Sequence, residues 1–451
     1  MMKKRNNTLN QTFNDFSGFR TSKLLSLALA LGVSFSAITL QAKAPGLVHV
    51  YQMSVLHDAK LAQARANYDA EREVMTQARS LLLPNISGSA LYSHPDLGES
   101  NNRQVVEVEL NQALYNREAF SRHAQAKHIV ETAEVNFQLA QQELMMRVSS
   151  AYFDVLLAEQ KLMLAKSKME ADKILWERAQ ASAEVGLASR TDVLQARSAY
   201  DITLSSLISA ENDLDIAYET LSKLTGQTLG QVKQLMLDTA ITEPRLDKAV
   251  LEAQAQTENL LVRLAQQQQR IANEEVEAKQ STQSVNVSLR AAHSYTHCSS
   301  SQGCNDGHNT GLSVVASVPL YTGGRINSQV DQARFQAESS ANALRDAQEQ
   351  ARLNVRVQAR NLERGHALVG ALREAVKSGE AFLEAAEEGY RVGLRNMIDV
   401  VSARANLFDA QSNLAAALHN LLLTQLQLQN TLGVLSVDDL RNLDQLLSAP
   451  Q

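Results

Sequence analysis

The sequence predicts a mainly helical chain of two tandem repeats, each combining a long antiparallel coiled-coil hairpin with a pair of short β-strands. Three observations carry this prediction. A motif recurs, as EVGLASRTDVLQAR at Glu184–Arg197 and RVGLRNMIDVVSAR at Arg391–Arg404, so that Asp399 follows Asp192 by 207 residues. Apolar residues recur in steps of three and four, in copy one within a stretch from Glu99 to Val185 that lacks Gly and Pro, the mark of a coiled-coil seam. Between the helical stretches lie segments of about ten residues that alternate with period two instead. Composition agrees: of 451 residues 44% are hydrophobic, 5% are aromatic and two are Cys, which excludes disordered and disulfide-scaffolded classes and suits packed helices. The net charge is −6, and residues 1–42 hold Lys3, Lys4, Arg5, Arg20 and Lys23 against Asp15 alone, so the body is more acidic still. No nucleic-acid partner is expected for such a body.

The N-terminus is cationic and leads into an apolar run from Leu24 to Leu40, with Ala42 as a plausible cleavage position. This pattern predicts a secretory signal peptide. The alternative, a membrane anchor, needs a span of about 20 residues. Every later apolar run is broken by Gln, Glu, Lys or Arg, so any membrane crossing has to be made by strands.

A short helix over 50–82 comes first. The strand signals follow: Ile86, Gly88, Ala90 and Tyr92 weakly, then Val106, Val108 and Leu110 between Glu107, Glu109 and Asn111. From 116 to 184 a long helix is predicted, its seam running Leu144, Val148, Ala151, Val155, Ala158, Leu162, Ala165, Met169, Trp176 and Ala179, with Asp172 the one position that breaks it. The step Leu144–Val148 is a stutter. After the Gly-bearing turn a second stripe, including Ala196, Tyr200, Leu207 and Leu221, predicts a helix to 226. At 1.5 Å per residue the long helix spans roughly 100 Å and each short one about 50 Å, so two short helices stacked end to end match one long one.

Copy two repeats the plan. Val285, Val287, Leu289 and Ala291, then Leu312, Val314, Ala316 and Val318, are its strands; Val355, Leu362, Val369, Val376 and Leu383 are its large seam residues, with Gly365, Gly379 and Ala386 among the small ones. Gly323 and Gly324 stand where strand passes to helix and a permissive backbone is needed. The chain therefore divides into a signal peptide (1–42), a first repeat (43–230), a linker in an equatorial belt (231–245), a second repeat (246–433) and a tail (434–451).

Strands of about ten residues with one apolar face are what a tilted membrane strand needs, although an ordinary half-buried hairpin has the same alternation. Four strands cannot close a barrel, since the smallest membrane barrels have about eight. Several chains must then pool their strands into a duct that crosses one membrane and continues as helices. A pore-free coiled-coil scaffold or tether is the alternative.

With the duplicated tips on the page, the chain resembles the TolC-type outer-membrane channels of Gram-negative export systems. The resemblance covers nearly all of the mature chain. It implies a homotrimer with a shared twelve-stranded membrane β-barrel in outer-membrane lipid and a periplasmic α-barrel, docked through a periplasmic adaptor on an inner-membrane pump or ABC transporter. It also implies a passive, gated exit duct for efflux or type I secretion. Thr191, Asp192, Tyr390, Arg395 and Asp399 match the family's gate positions: Asp192 is expected to bond to Tyr390 and Arg395, and Asp399 to contribute to a carboxylate ring at the constriction. A second acidic position often present beyond Asp399 is Ser402 here. Val185, Gly186, Leu187, Val392, Gly393 and Leu394 are the implied adaptor grooves. The plainer reading is that Asp192 and Asp399 cap helices and that the glycines end them.

Cys298 and Cys304 lie in HCSSSQGC, and in an exported protein a local disulfide is expected. Nearby His293, His297 and His308 fit no standard zinc spacing. Neither a cofactor nor a metal is expected, and no catalytic signature is present.

Overall fold

The computed structural model describes residues 44–93, 102–236, 239, 241, 246–299 and 306–447. The expected signal peptide, Cys304, most of the 237–245 segment and the last four residues lie outside them. Copy one comprises α1 (Leu47–His57), α2 (Ala59–Ser80), β1 (Asn85–Ser93), β2 (Arg103–Tyr115), α3 (Arg117–Glu184) and α4 (Arg190–Thr225). Copy two answers with α5 (Lys248–Glu258), α6 (Leu260–Ser281), β3 (Asn286–Cys298), β4 (Gly307–Ser317), α7 (Arg325–Arg391) and α8 (Met397–Leu432), and α9 (Val437–Asp444) ends the described chain. Among the described residues no helix is long and apolar enough to cross a membrane.

The short helix expected over 50–82 is two helices. Asp58 leaves the helical region, accepts from the Leu61 amide at 2.8 Å, and takes Arg147 of α3 in a two-pronged ion pair at 2.9 and 3.1 Å. The same break recurs at Asn259, which accepts from the Leu261 and Val262 amides and donates to the carbonyl of Thr431 at 2.6 Å. The reason lies in what meets each break. Helices α4 and α8 end at Gly226 and Gly433 in the left-handed conformation (φ 72° and 82°), and a Cβ there would stand 2.5 Å from the His57 ring and 2.3 Å from the Glu258 carbonyl. Each of these helix ends therefore abuts a helix junction, where the left-handed backbone and the close neighbour both favour glycine. The α3 stutter sits at this level: Leu144 and Val148 are fully buried, and Gln142 donates to the Gly433 carbonyl at 2.9 Å.

The seams pack as their residue sizes dictate. Val155, Val355, Leu362 and Val369 are buried, and the small positions bring the helices close: a Cβ on Gly365 would meet Leu421 at 2.9 Å and one on Gly379 would meet Leu407 at 3.3 Å. Leu162, Met169 and Trp176 are only half-buried, and Trp176 stacks on Tyr200 with ring centroids 5.5 Å apart. The tail is structural: Leu440 and Leu443 of α9 are buried, while Asp444 accepts from the Leu47 amide and pairs with Lys233, both at 2.8 Å.

The four strands form one antiparallel sheet in the order β1-β2-β3-β4. Its register gathers the four alternating stripes on one face. Ile86 lies opposite Leu110, Leu110 opposite Ala291 and Ala291 opposite Leu312; Gly88, Val108 and His293 form the next row out. Ile86, Val106, Val108, Leu312 and Val314 are exposed, so nothing among the described residues covers this face. The opposite face carries the Glu109–Arg290 ion pair at 2.6 Å. Among the described residues β1 and β4 are exposed along their whole length and pair on one side only, so the sheet there has two open edges, which in a monomer are unstable features that must be covered. β2 and β3 run to 13 residues each, longer than the ten or so expected. Gly323 and Gly324 turn into α7 with φ of 63° and 83°.

Candidate gate at the hairpin tips

Each hairpin tip is built by the same bonds. Gly186 and Gly393 adopt φ of 77° and 76°; their amides bond to Ala183 and Tyr390 carbonyls at 3.1 Å, and the Leu187 and Leu394 amides reach Ser182 and Gly389 carbonyls at 2.8 Å. This is the glycine C-terminal motif that satisfies the last carbonyls of a helix. An added Cβ on Gly186 or Gly393 meets nothing within 4 Å, so conformation alone requires glycine here. The turns leave apolar side chains in the open, with Val185 69%, Leu187 84%, Val392 58% and Leu394 83% exposed.

Both acidic tip residues close reciprocal caps. Asp192 Oδ2 accepts from the Ser189 amide (3.0 Å) and hydroxyl (2.7 Å), and the Asp192 amide donates back to Ser189 Oγ at 3.1 Å. Asp399 Oδ2 likewise accepts from the Asn396 amide (3.4 Å), and the Asp399 amide donates back to Asn396 Oδ1 at 2.9 Å. These caps place a carboxylate on free amides at the positive end of a helix. Each uses only Oδ2, leaving Oδ1 for another donor. Thr191 is exposed beside Asp192.

Within this chain Arg395 meets Asp399, at 3.8 Å, rather than Asp192. Its stem lies over Gly389, where a Cβ would fall 2.6 Å from Arg395 Cγ. Tyr390 comes into electrostatic range of Asp192: partial burial and then that carboxylate push its phenol above the ordinary value. The structure thus brings Tyr390 toward Asp192 and sets Arg395 apart from it.

Behind the tips the two hairpins share a small apolar core of Leu175 and Ala179 (α3), Ala196 (α4), Ala386 (α7), and Met397, Val400 and Ala403 (α8). Above it sits a polar cluster around Asp172, the residue that breaks the seam. Asp172 is 2% exposed and accepts from Thr203 at 2.7 Å, beside Lys168 (3.2 Å) and Arg404 (3.5 Å). The broken heptad was its signal in the sequence; its partners on three helices were not readable from one stripe.

At the far end of the sheet Cys298 is disulfide-bonded, and its partner in the expected pairing, Cys304, is outside the described residues. His293 stacks on His308 at 5.5 Å and His297 bonds to Asp306 at 2.7 Å. Among the described residues no group of three or more His, Cys, Asp or Glu could hold a metal ion.

A sheet of membrane width with open edges and an uncovered apolar face, carried on hairpins about 100 Å long, defines the subunit of a composite membrane channel; a tether has no use for that face. The chain belongs to the outer membrane efflux protein family, matched over residues 50–227 and again over 251–434. It is 30% identical to the outer membrane protein TolC of Escherichia coli K12, over 94% of this chain and 89% of that one. To the TolC of Vibrio cholerae it is 31% identical, over 94% and 98%. The proteases secretion protein PrtF of Dickeya chrysanthemi is 25% identical over 94% of each chain. Among solved structures CusC superposes with a TM-score of 0.76 at 16% identity, covering 86% of this chain and 92% of the other. The protein is an outer-membrane channel extending into the periplasm, the exit duct of an efflux or secretion system, and not an enzyme.

Proposed function

We propose that the hairpin tips are the gate of this duct and that the chain works as a homotrimer, its twelve pooled strands forming one barrel. The two open sheet edges support the trimer, since a neighbour's strand satisfies each. In the proposed assembly the apolar face lies in outer-membrane lipid and the polar face lines the lumen.

The observation that carries the gate is the chemistry gathered at the tips. Among the described residues no donor takes Oδ1 of Asp192 or Asp399, Tyr390 stands near Asp192, and the Arg395 guanidinium is held only by an exposed 3.8 Å contact. Exposed pairs of this kind contribute about 0–1 kcal/mol, so Arg395 can exchange Asp399 for another carboxylate. In the closed state Asp192 accepts from Tyr390 and Arg395, with Thr191 alongside, and three copies of Asp399 ring the constriction. Hydration of these contacts releases the tips, and substrate then passes outward by diffusion or threading. Ser402 in place of a second acid weakens the block to cations. The exposed Val185, Leu187, Val392 and Leu394, flanking Gly186 and Gly393, form the grooves for hairpins of a periplasmic adaptor. That adaptor joins the duct to an inner-membrane pump or ABC transporter, which supplies the energy.

Cells making Tyr390→Phe or Arg395→Ser test the gate. Both variants should assemble as the wild type does and sensitise the cells to a large hydrophilic antibiotic. Wild-type resistance from fully assembled variants contradicts the assignment.

A further inference from the structure

We infer that the cluster of largely buried Lys168, Asp172, Thr203 and Arg404, with Glu387 at its exposed rim, is a second lock, set above the tip latch, that holds the two hairpins of each chain together while the duct is closed. The inference rests on reading the tips as the gate. Five side chains from four helices take part. Thr203 of α4 donates to Asp172 Oδ2 at 2.7 Å and receives from Lys168 at 2.8 Å, which binds hairpin one to itself. Arg404 of α8 then bridges Asp172 of α3 at 3.5 Å and Glu387 of α7 at 2.5 Å, which crosses between hairpins. Lys168 adds a second crossing, its ammonium lying 5.7 Å from the ring centre of Phe408 on α8.

Burial sets this cluster apart from the tips. The side chains of Asp172, Arg404 and Lys168 are 2%, 15% and 17% exposed, against 50% and 34% for Arg395 and Asp399. Two cations face two carboxylates, so charge balances when the hairpins are together. Parting α8 from α3 leaves Asp172 with only Lys168 and Thr203 of its own hairpin and Arg404 with an exposed Glu387, in a site that water must then enter. Breaking a buried pair costs far more than breaking an exposed one. Asp172 stands about 18 Å above the end of α3, behind the apolar core that the hairpins share. Any opening that swings one hairpin from the other must therefore break the Asp172–Arg404 contact after the tip contacts have gone. These are positioning residues: they fix how far the hairpins can part, not what passes between them.

The test is single-channel conductance of purified, heat-stable oligomers of Arg395→Ser, Asp172→Asn, Arg404→Gln, Arg404→Lys and the double variant Asp172→Asn/Arg404→Gln. Asp172→Asn and Arg404→Gln should each raise the open conductance or open probability about threefold or more, the scale of coupling between contacting charges. The double variant should go no further than the larger single, and Arg404→Lys should restore most of the closure. If Asp172→Asn does not assemble, Arg404→Gln decides, because Arg404 lies at the edge of the cluster. Wild-type conductance from assembled Arg404→Gln, with Arg395→Ser open, overturns the second lock and leaves the tip gate standing. Wild-type conductance from Arg395→Ser with Arg404→Gln open removes the tip latch and keeps the cluster as the restraint. Purely additive effects of the two substitutions show that the residues do not act on each other, and also overturn it.

Discussion

Replacing Gly433 by Ala probes the level at which α8 meets the α5–α6 break. The new Cβ would stand 2.3 Å from the Glu258 carbonyl oxygen and 2.9 Å from Asn259 Cα, both backbone atoms that no rotamer change can move. A left-handed conformation costs a side-chain-bearing residue about 1–2 kcal/mol, and forcing atoms into a filled site adds about 1–3 kcal/mol. The expected loss is therefore about 2–5 kcal/mol. Two other glycines calibrate it. Gly393→Ala pays only the conformational part, since its φ is 76° but nothing lies within 4 Å, and Gly226→Ala meets the His57 ring, which can rotate aside. The three should rank Gly433, Gly226, Gly393 in falling order of damage. The assay is the temperature at which the purified oligomer dissociates in detergent, read on gels at a fixed heating time because such unfolding is irreversible. Equal losses for Gly433→Ala and Gly393→Ala would refute the packing argument.

Other consequences follow from the same contacts. Asp58→Asn, which breaks the ion pair to Arg147, should cost about 2 kcal/mol or more. Burial pushes the Asp58 carboxyl up, but the Arg147 bonds and the Leu61 amide outweigh it and hold it below its ordinary 3.8. The contribution is thus complete above pH 3.8 and lost as pH falls through the depressed value, so the wild type should lose stability to acid there and Asp58→Asn should not show that component. His419 is buried against Phe153, its Nε2 without a partner among the described residues and its pKa lowered by burial. Burial favours its neutral form in the fold, so stability should decline as pH drops below the unfolded value of 6.5, and His419→Leu should flatten that slope in dissociation temperatures taken from pH 7 to 5. Mass spectrometry of the unreduced protein should find no free thiol at Cys298 or Cys304.

Periodicity carried most of the fold into the sequence. A sheet face and a coiled-coil seam each repeat, so Val106, Val108, Leu289 and Leu312 could be placed on one face, and Val148, Val155, Val355 and Leu362 in the core, from spacing alone. Breaks were harder. Asp58 and Asn259 are residues that cap helices, but each interrupts a run of good helix formers, and the cause of the break, a glycine arriving from 168 or 174 residues downstream, is invisible locally. The tail gave no sign that Asp444 would bind Leu47 and Lys233, because that contact closes the chain across its whole length. At the tips the caps of Asp192 and Asp399 were legible as spacing. The pairing of Arg395 with Asp399 was not, since it depends on where Gly389 lets the arginine stem lie. Asp172 showed as a flaw in the seam, and only the packing of α8 on α3 revealed Arg404 as its partner.

The central claim, a duct closed at its hairpin tips, is tested most directly by single-channel conductance in a planar lipid bilayer, comparing the wild type with Arg395→Ser. The account predicts a small wild-type conductance that rises in the variant, with the same oligomer present in both. No conductance from folded wild-type oligomer would contradict the duct, and equal conductance of the two proteins would contradict the gate.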